Sequence, residues 1–147
     1  MQWTLEVVQI PVADVERAKT FYAERLGFAV DFDVRADDTH RFVQLTPPGS
    51  GCSIQVADGY FDDMAPGSLR GLVLVVPDIR VAHAELVERG VENGGVVVTE
   101  DGVVFRPARD GDPLDNVGFV HFSDPDGNRW SVQQISSRGP ATHLRGP

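Results

Sequence analysis

Apolar residues along the chain fall into two alternating kinds of pattern. The β-branched run Val7-Val8-Gln9-Ile10-Pro11-Val12-Ala13 and its counterpart Leu72-Val73-Leu74-Val75-Val76-Pro77 read as strands, each closed by an aspartate (Asp14 or Asp78) placed to cap a helix. After Asp14, apolar residues recur at spacings of three and four (Val15, Ala18, Phe21, Tyr22, Leu26), and Gly27 supplies a stop. After Asp78, the series Ile79, Ala82, Leu86 and Val87 ends at Gly90 in the same way. The two aspartates stand 64 positions apart and the two glycines 63, so a strand–helix unit is duplicated.

Three further strands are predicted behind each helix. In the first half they are Phe28–Arg35, Arg41–Thr46 and Cys52–Val56, separated by Ala36-Asp37-Asp38 and by Pro47-Pro48-Gly49-Ser50-Gly51. In the second half they are Val96–Glu100 continuing to Phe105, then Val117–Phe122, then Trp130–Ile135, the last two joined by the turn Asp124-Pro125-Asp126-Gly127. Each half therefore reads βαβββ. Residues 1–58 form the first module, 59–66 a linker, 67–136 the second module and 137–147 a flexible tail, within one structural domain. A single βαβββ unit covers one sheet face and leaves the other open. The expected class is α+β: two modules forming a curved eight-stranded mixed sheet around a concave cavity, with the helices outside.

Composition narrows the function classes. The 147 residues carry 13 Lys+Arg against 22 Asp+Glu, a formal net charge of -9. That balance argues against nucleic acid or an anionic membrane as a partner, because both are bound mainly through Lys and Arg. Cys52 is alone, so no intrachain disulfide or all-cysteine zinc site is available. The start, Met-Gln-Trp-Thr-Leu-Glu, lacks the basic and apolar regions of a signal peptide, and the run Leu72–Pro77 is too short to span a bilayer. A cytoplasmic protein is expected.

The segment Ile10-Pro11-Val12-Ala13-Asp14-Val15-Glu16-Arg17-Ala18, with Phe21-Tyr22, Leu26-Gly27-Phe28 and Phe122-Ser123-Asp124-Pro125-Asp126-Gly127-Asn128, resembles the vicinal oxygen chelate superfamily. That superfamily includes glyoxalase I, extradiol dioxygenases, fosfomycin-resistance transferases and bleomycin-resistance binding proteins. The likeness covers roughly residues 3 to 136. In metal-dependent members a divalent ion is held by His and Glu on the first and fourth strands of each module. Those positions fall here on Val7, Gln55, Gly71 and Ser131, none of which is His, Asp, Glu or Cys. The resemblance thus implies a member without the usual metal ligands, with no cofactor, and a homodimer, as is usual in the superfamily.

The resemblance also places His121 and Phe119 on the cavity lining. Strand alternation extends the lining to Leu5, Val7, Gln9, Ser53, Gln55, Val73, Ser131 and Gln133, an apolar and amide-rich set without net charge. The ligand-binding candidates are Gln9, Ser53, Gln55, Phe119, His121, Ser131 and Gln133. His121 has two readings, a hydrogen-bond donor or general acid/base on the one hand and a self-satisfied strand histidine on the other. Of the remaining imidazoles, His40 reads as a loop residue, His83 as part of a solvated helix face and His143 as part of the tail. Trp130 is expected to face the helix. Arg41 and Gln44 are left unoriented, Arg106 and Arg109 lie in a loop that could form a rim, and the Asp124/Asp126 pair reads as structural.

Two functions follow. The first is a glyoxalase- or bleomycin-resistance-like protein that binds a small, neutral or aromatic molecule without a metal. The second is an enzyme of the same superfamily (lyase, isomerase or dioxygenase), either metal-free through His121 or metal-dependent through ligands elsewhere.

Overall fold

The computed structural model describes residues 1–58 and 63–138. They form two compact units, Met1–Leu69 with Asp124–Asn128, and Arg70–Ser123 with Arg129–Arg138. The expected tail beyond residue 138, with His143, and linker residues 59–62 lie outside the described residues.

The first unit runs β1 (Val7–Ile10), α1 (Val15–Thr20), β2 (Ala29–Arg35), β3 (Arg41–Thr46) and β4 (Ser53–Asp58). Asp14 caps α1 as its spacing predicts, accepting from Arg17 N–H at 3.0 Å. The helix then widens into a π turn over Phe21–Arg25, in which Leu26 N–H reaches back five residues to Phe21 O at 3.1 Å. Gly27 stops it at φ 73°, a conformation that costs glycine nothing. The sheet order is β1-β4-β3-β2, with β1 and β4 parallel and the other pairs antiparallel. α1 packs on β3 and β4, and Val15, Ala18, Tyr22, Val43, Leu45, Ile54 and Val56 form the core beneath it.

Residues 124–128 are built into this unit rather than the second module. Asp124 Oδ1 accepts from Asp126 N–H (3.0 Å) and Asn128 N–H (2.9 Å), while its Oδ2 accepts from Tyr22 Oη–H (2.7 Å) and Asn128 Nδ2–H (2.8 Å). Asn128 also donates to Pro11 O at 2.8 Å and accepts from Leu69 N–H at 3.1 Å. Asp126 takes Ala13 N–H and the Arg17 guanidinium. Gly67, at φ 80°, lies so close that a Cβ there would sit 2.0 Å from Asp126 O.

The second unit runs β5 (Leu72–Val76), α2 (Ile79–Glu88), β6 (Val97–Thr99), β7 (Phe105–Pro107), β8 (Gly118–Ser123) and β9 (Arg129–Gln134), in the order β5-β9-β8-β6-β7. Asp78 caps α2 through Arg80 N–H (3.0 Å) and Val81 N–H (3.2 Å). At the other end Gly90 N–H bonds Val87 O and Val91 N–H bonds Leu86 O, the paired closure that a left-handed glycine permits. α2 packs on β8 and β9 over Ile79, Leu86, Val120, Phe122, Trp130 and Val132. Trp130 faces this core, stacked on Phe122 at 6.1 Å.

The α+β class and the two strand–helix modules agree with the sequence. Among the described residues the strands hydrogen-bond as a four-stranded and a five-stranded mixed sheet, one strand more than the eight expected. The extra strand arises where a continuous run from Val96 to Phe105 was expected. Asp101 Oδ1 accepts from Val103 and Val104 N–H (2.8 Å each), and Thr99 Oγ1 accepts from Gly102 N–H (2.8 Å). The chain turns there, with Gly102 at φ 79°, and folds into the β6–β7 hairpin.

Candidate functional site

In the four-stranded sheet the odd and even positions separate cleanly. Ile10, Val43, Leu45, Ile54 and Val56 point toward α1 and are buried, which sends their neighbours to the helix-free face. The register places Gln9 beside Gln55, Gln55 beside Gln44 and Gln44 beside Phe32, a row of three amides ending in an aromatic ring. Gln9 and Gln55 therefore come together, and Gln44, left unoriented by the sequence, joins them. Ser53 lies on the same face but is buried, with its hydroxyl 2.6 Å from that of Thr46.

A bulge between Val30 and Phe32 changes the charge of this face. It inserts Asp31, whose carboxylate accepts hydrogen bonds from Thr46 Oγ1 and Gln44 Nε2. One carboxylate thus stands among the amides of this face, beside the uncharged set expected from the sequence. Strict alternation cannot foresee a residue inserted out of register. Leu5 lies ahead of β1, which begins at Val7, and is 67% exposed.

Arg41 takes the opposite face. Its guanidinium bonds Asp33 (2.9 and 2.7 Å) and Glu16 of α1 (3.1 Å), while Lys19 bonds Asp33 at 2.9 Å. The Arg41 guanidinium, then the Lys19 ammonium, holds the Asp33 carboxyl well below the usual carboxylate range. This network fastens α1 to β2 and β3 on their helix side.

In the five-stranded sheet, Trp130, Val132, Val120 and Phe122 point toward α2, so Ser131, Gln133, Phe119 and His121 share the helix-free face. Val73 pairs with Ser131 and Ser131 with His121; Val75 pairs with Gln133, Gln133 with Phe119 and Phe119 with Val97. Four of the sequence-predicted residues thus stand in two adjacent rows. The β6–β7 hairpin adds Phe105, expected only as the end of a strand. Its ring is 5.5 Å from Phe119 and 5.4 Å from His121, edge-on to both, and the Phe119 and His121 rings lie nearly parallel at 6.0 Å. The Asp101-Gly102 pair was the signal that could have found it.

His121 Nδ1 lies 2.8 Å from Ser131 Oγ. Burial, with a smaller contribution from the positive charge of Arg129, pushes the imidazole below its ordinary value near 6.5, so the ring is neutral at pH 7. Gln133 donates through Nε2 to Asn116 O at 2.8 Å, which orients its amide. Phe105, Val73 and Val75 remain 38–52% exposed around these polar groups. The arrangement offers an aromatic surface with a few fixed hydrogen-bonding atoms.

The chain matches the model of the Glyoxalase/Bleomycin resistance protein/Dioxygenase superfamily over residues 4–132. It belongs to this superfamily. Among solved structures, the superfamily member is similar to TnmS3, an antibiotic binding protein from Streptomyces sp. CB03234, at 33% identity over 92% of this chain and 98% of that one, with a TM-score of 0.70. A glyoxalase/bleomycin resistance protein from the same organism is 34% identical over 89% of this chain and all of the other, with a TM-score of 0.67. A Sphaerobacter thermophilus DSM 20745 member of the superfamily is 34% identical over 90% and 98%, with a TM-score of 0.64. A search of the curated proteins found no match.

The superfamily's chelate chemistry needs donors that the corresponding positions do not supply. In the first unit these are Val7, an alkyl group, and Gln55, a neutral amide; in the second they are Gly71, without a side chain, and Ser131, whose hydroxyl is engaged by His121. Among the described residues no three His, Cys, Asp or Glu side chains converge as a metal site. These four positions do not offer the donor set of a divalent-ion site.

The other candidates have structural partners. Arg106 makes a two-pronged pair with Asp112 (2.8 and 3.0 Å), and Asp112 also caps Arg109 N–H at 2.7 Å, so this charge pair braces its own loop. His40 bonds Asp37 at 2.9 Å at the tip of the β2–β3 hairpin. His83 is half-buried on α2, and Cys52 is half-buried at the start of β4. No helix among the described residues is long and apolar enough to cross a membrane.

Proposed function

We propose that this chain is a binding protein for a small, neutral or aromatic organic molecule, held without a metal ion on the helix-free face of its five-stranded sheet. The carrying observation is the cluster of Phe105, Phe119 and His121 beside Ser131 and Gln133, which pairs flat aromatic surface with a few oriented polar atoms. Gln9, Ser53 and Gln55, on the other sheet, are the second candidate set. The likeness to TnmS3, an antibiotic binding protein, supports a ligand of antibiotic type. Titrating the protein with fluorene while following amide chemical shifts tests the reading. Saturable shifts confined to β7, β8 and β9, weakened at least tenfold by Phe119→Ala, are expected; shifts that never saturate refute it.

We infer further that the chain forms a homodimer in the cytoplasm. Trp3 is 88% exposed and Leu5 67%, and Val30, Phe32 and Val34 expose apolar surface on the edge strand β2, area that association would remove from water. The single, half-buried Cys52 suits a reducing compartment. Sedimentation velocity at micromolar concentration checks the dimer, and a single species at the monomer mass refutes it.

A further inference from the structure

We propose that His121 is a specificity-determining hydrogen-bond donor, selecting among flat aromatic molecules those that carry a carbonyl oxygen. This rests on the binding surface proposed above and adds a direction to it.

The assignment starts from Ser131. Its hydroxyl lies 2.8 Å from His121 Nδ1 and has no other hydrogen-bond partner among the described residues. A half-buried hydroxyl with one neighbour able to accept sends its proton there. The Nε2–H tautomer, the commoner form of a neutral histidine, allows this; the reverse arrangement, Nδ1–H donating to Oγ, would leave the hydroxyl proton to water. A neutral ring that accepts at Nδ1 carries its own proton on Nε2. Among the described residues nothing accepts from that Nε2–H.

The donor is framed by apolar surface. Phe119 lies parallel to the imidazole, Phe105 stands edge-on to it, and Val73 lies beyond Ser131 in the same cross-strand row. An aromatic hydrocarbon covering this region would remove water from Nε2–H without replacing it. An aryl ketone of the same shape supplies an oxygen that accepts and cannot donate, so the site distinguishes the two by leaving a polar group unpaired in the wrong complex. The donor also disfavours ligands presenting an N–H or an ammonium at that point.

The test uses 9-fluorenone and fluorene, which share a ring skeleton and differ by C=O against CH2. Both are titrated into the full chain, as wild type, His121→Phe and Ser131→Ala, with dissociation constants from chemical-shift changes. Wild type is expected to prefer fluorenone by about three- to tenfold, the range of one neutral hydrogen bond. His121→Phe keeps an aromatic ring and is expected to bind both probes alike, and Ser131→Ala to lose part of the preference. A two-bond 1H–15N correlation of the imidazole at pH 8, without ligand, is expected to report the Nε2–H tautomer and a mixture in Ser131→Ala. Equal affinities in wild type, or an Nδ1–H tautomer, overturn the donor role and leave aromatic binding standing. Failure of both probes to bind overturns the aromatic surface and the donor role together.

Discussion

Asn128→Ala removes the side chain that ties three separated segments of the first unit together. Asn128 is fully buried, and its amide donates to Pro11 O (2.8 Å) and Asp124 Oδ2 (2.8 Å) and accepts from Leu69 N–H (3.1 Å). Asp124 keeps Tyr22 and two backbone N–H groups after the truncation. Pro11 C=O and Leu69 N–H lose the Asn128 amide as partner. Pro11 O keeps Gly67 N–H at 3.1 Å, so the cost is that of the three hydrogen bonds made by the amide, at about 1 kcal/mol each, and the variant is expected to lose about 3 kcal/mol. For a chain of this size that lowers Tm by roughly 10 °C. Urea unfolding followed by far-UV circular dichroism measures the loss, and an unchanged m-value confirms that the unfolded state is not the cause. Asn128→Asp provides the chemical control. It places a second carboxylate against Asp124, so its deficit is expected to shrink as pH falls and one of the pair takes a proton. A loss in Asn128→Ala below about 1 kcal/mol would mean that water reaches both groups, refuting the view of this turn as a buried latch.

Three further outcomes follow from other parts of the molecule. Gly67→Ala is expected to destabilise by more than about 2 kcal/mol, because its Cβ would overlap Asp126 O and the residue sits at positive φ; a wild-type melting curve would contradict this. His121 is expected to titrate below 6.5 in an imidazole NMR titration. Its depressed folded value makes the unfolded chain the better proton binder, so its contribution to stability is complete above pH 6.5 and declines as pH falls below that; an elevated value would reverse the sign. Finally, chelator treatment is expected to leave the fluorene affinity unchanged, since the corresponding residues offer no charged donor set; one tightly held transition-metal ion per chain, by elemental analysis, would contradict that.

Local pattern was enough to read the duplicated strand–helix unit, because capping, stop glycines and side-chain alternation depend only on residues within one or two turns. Asp14, Asp78, Gly27 and Gly90 do in the structure what their spacing implies, and Trp130 faces α2 because Ser131 beside it faces away. The family resemblance put Phe119 and His121 on one face, and alternation added Gln133 beside Ser131.

Pairing across distant segments lay beyond that reach. The bulge at Asp31 is a mismatch between two strands, so neither strand alone encodes which face receives the carboxylate. Phe105 joins the aromatic cluster only because β6 and β7 fold back as a hairpin that hydrogen-bonds beside β8. Arg41 and Gln44, three residues apart on β3, take opposite faces, and it is Asp33 and Glu16 on one side and Asp31 on the other that reveal which. The Asp-Pro-Asp-Gly turn reads as a tight turn from four letters. That it is built into the first unit depends on Tyr22, 102 positions away, and Pro11, 117 away. Most elements and the alternation of their faces are written locally in the chain, because their causes lie within a few residues. Which faces meet, and which polar atoms are left to bind something else, was decided by hydrogen bonds and packing that exist only once the chain has closed on itself.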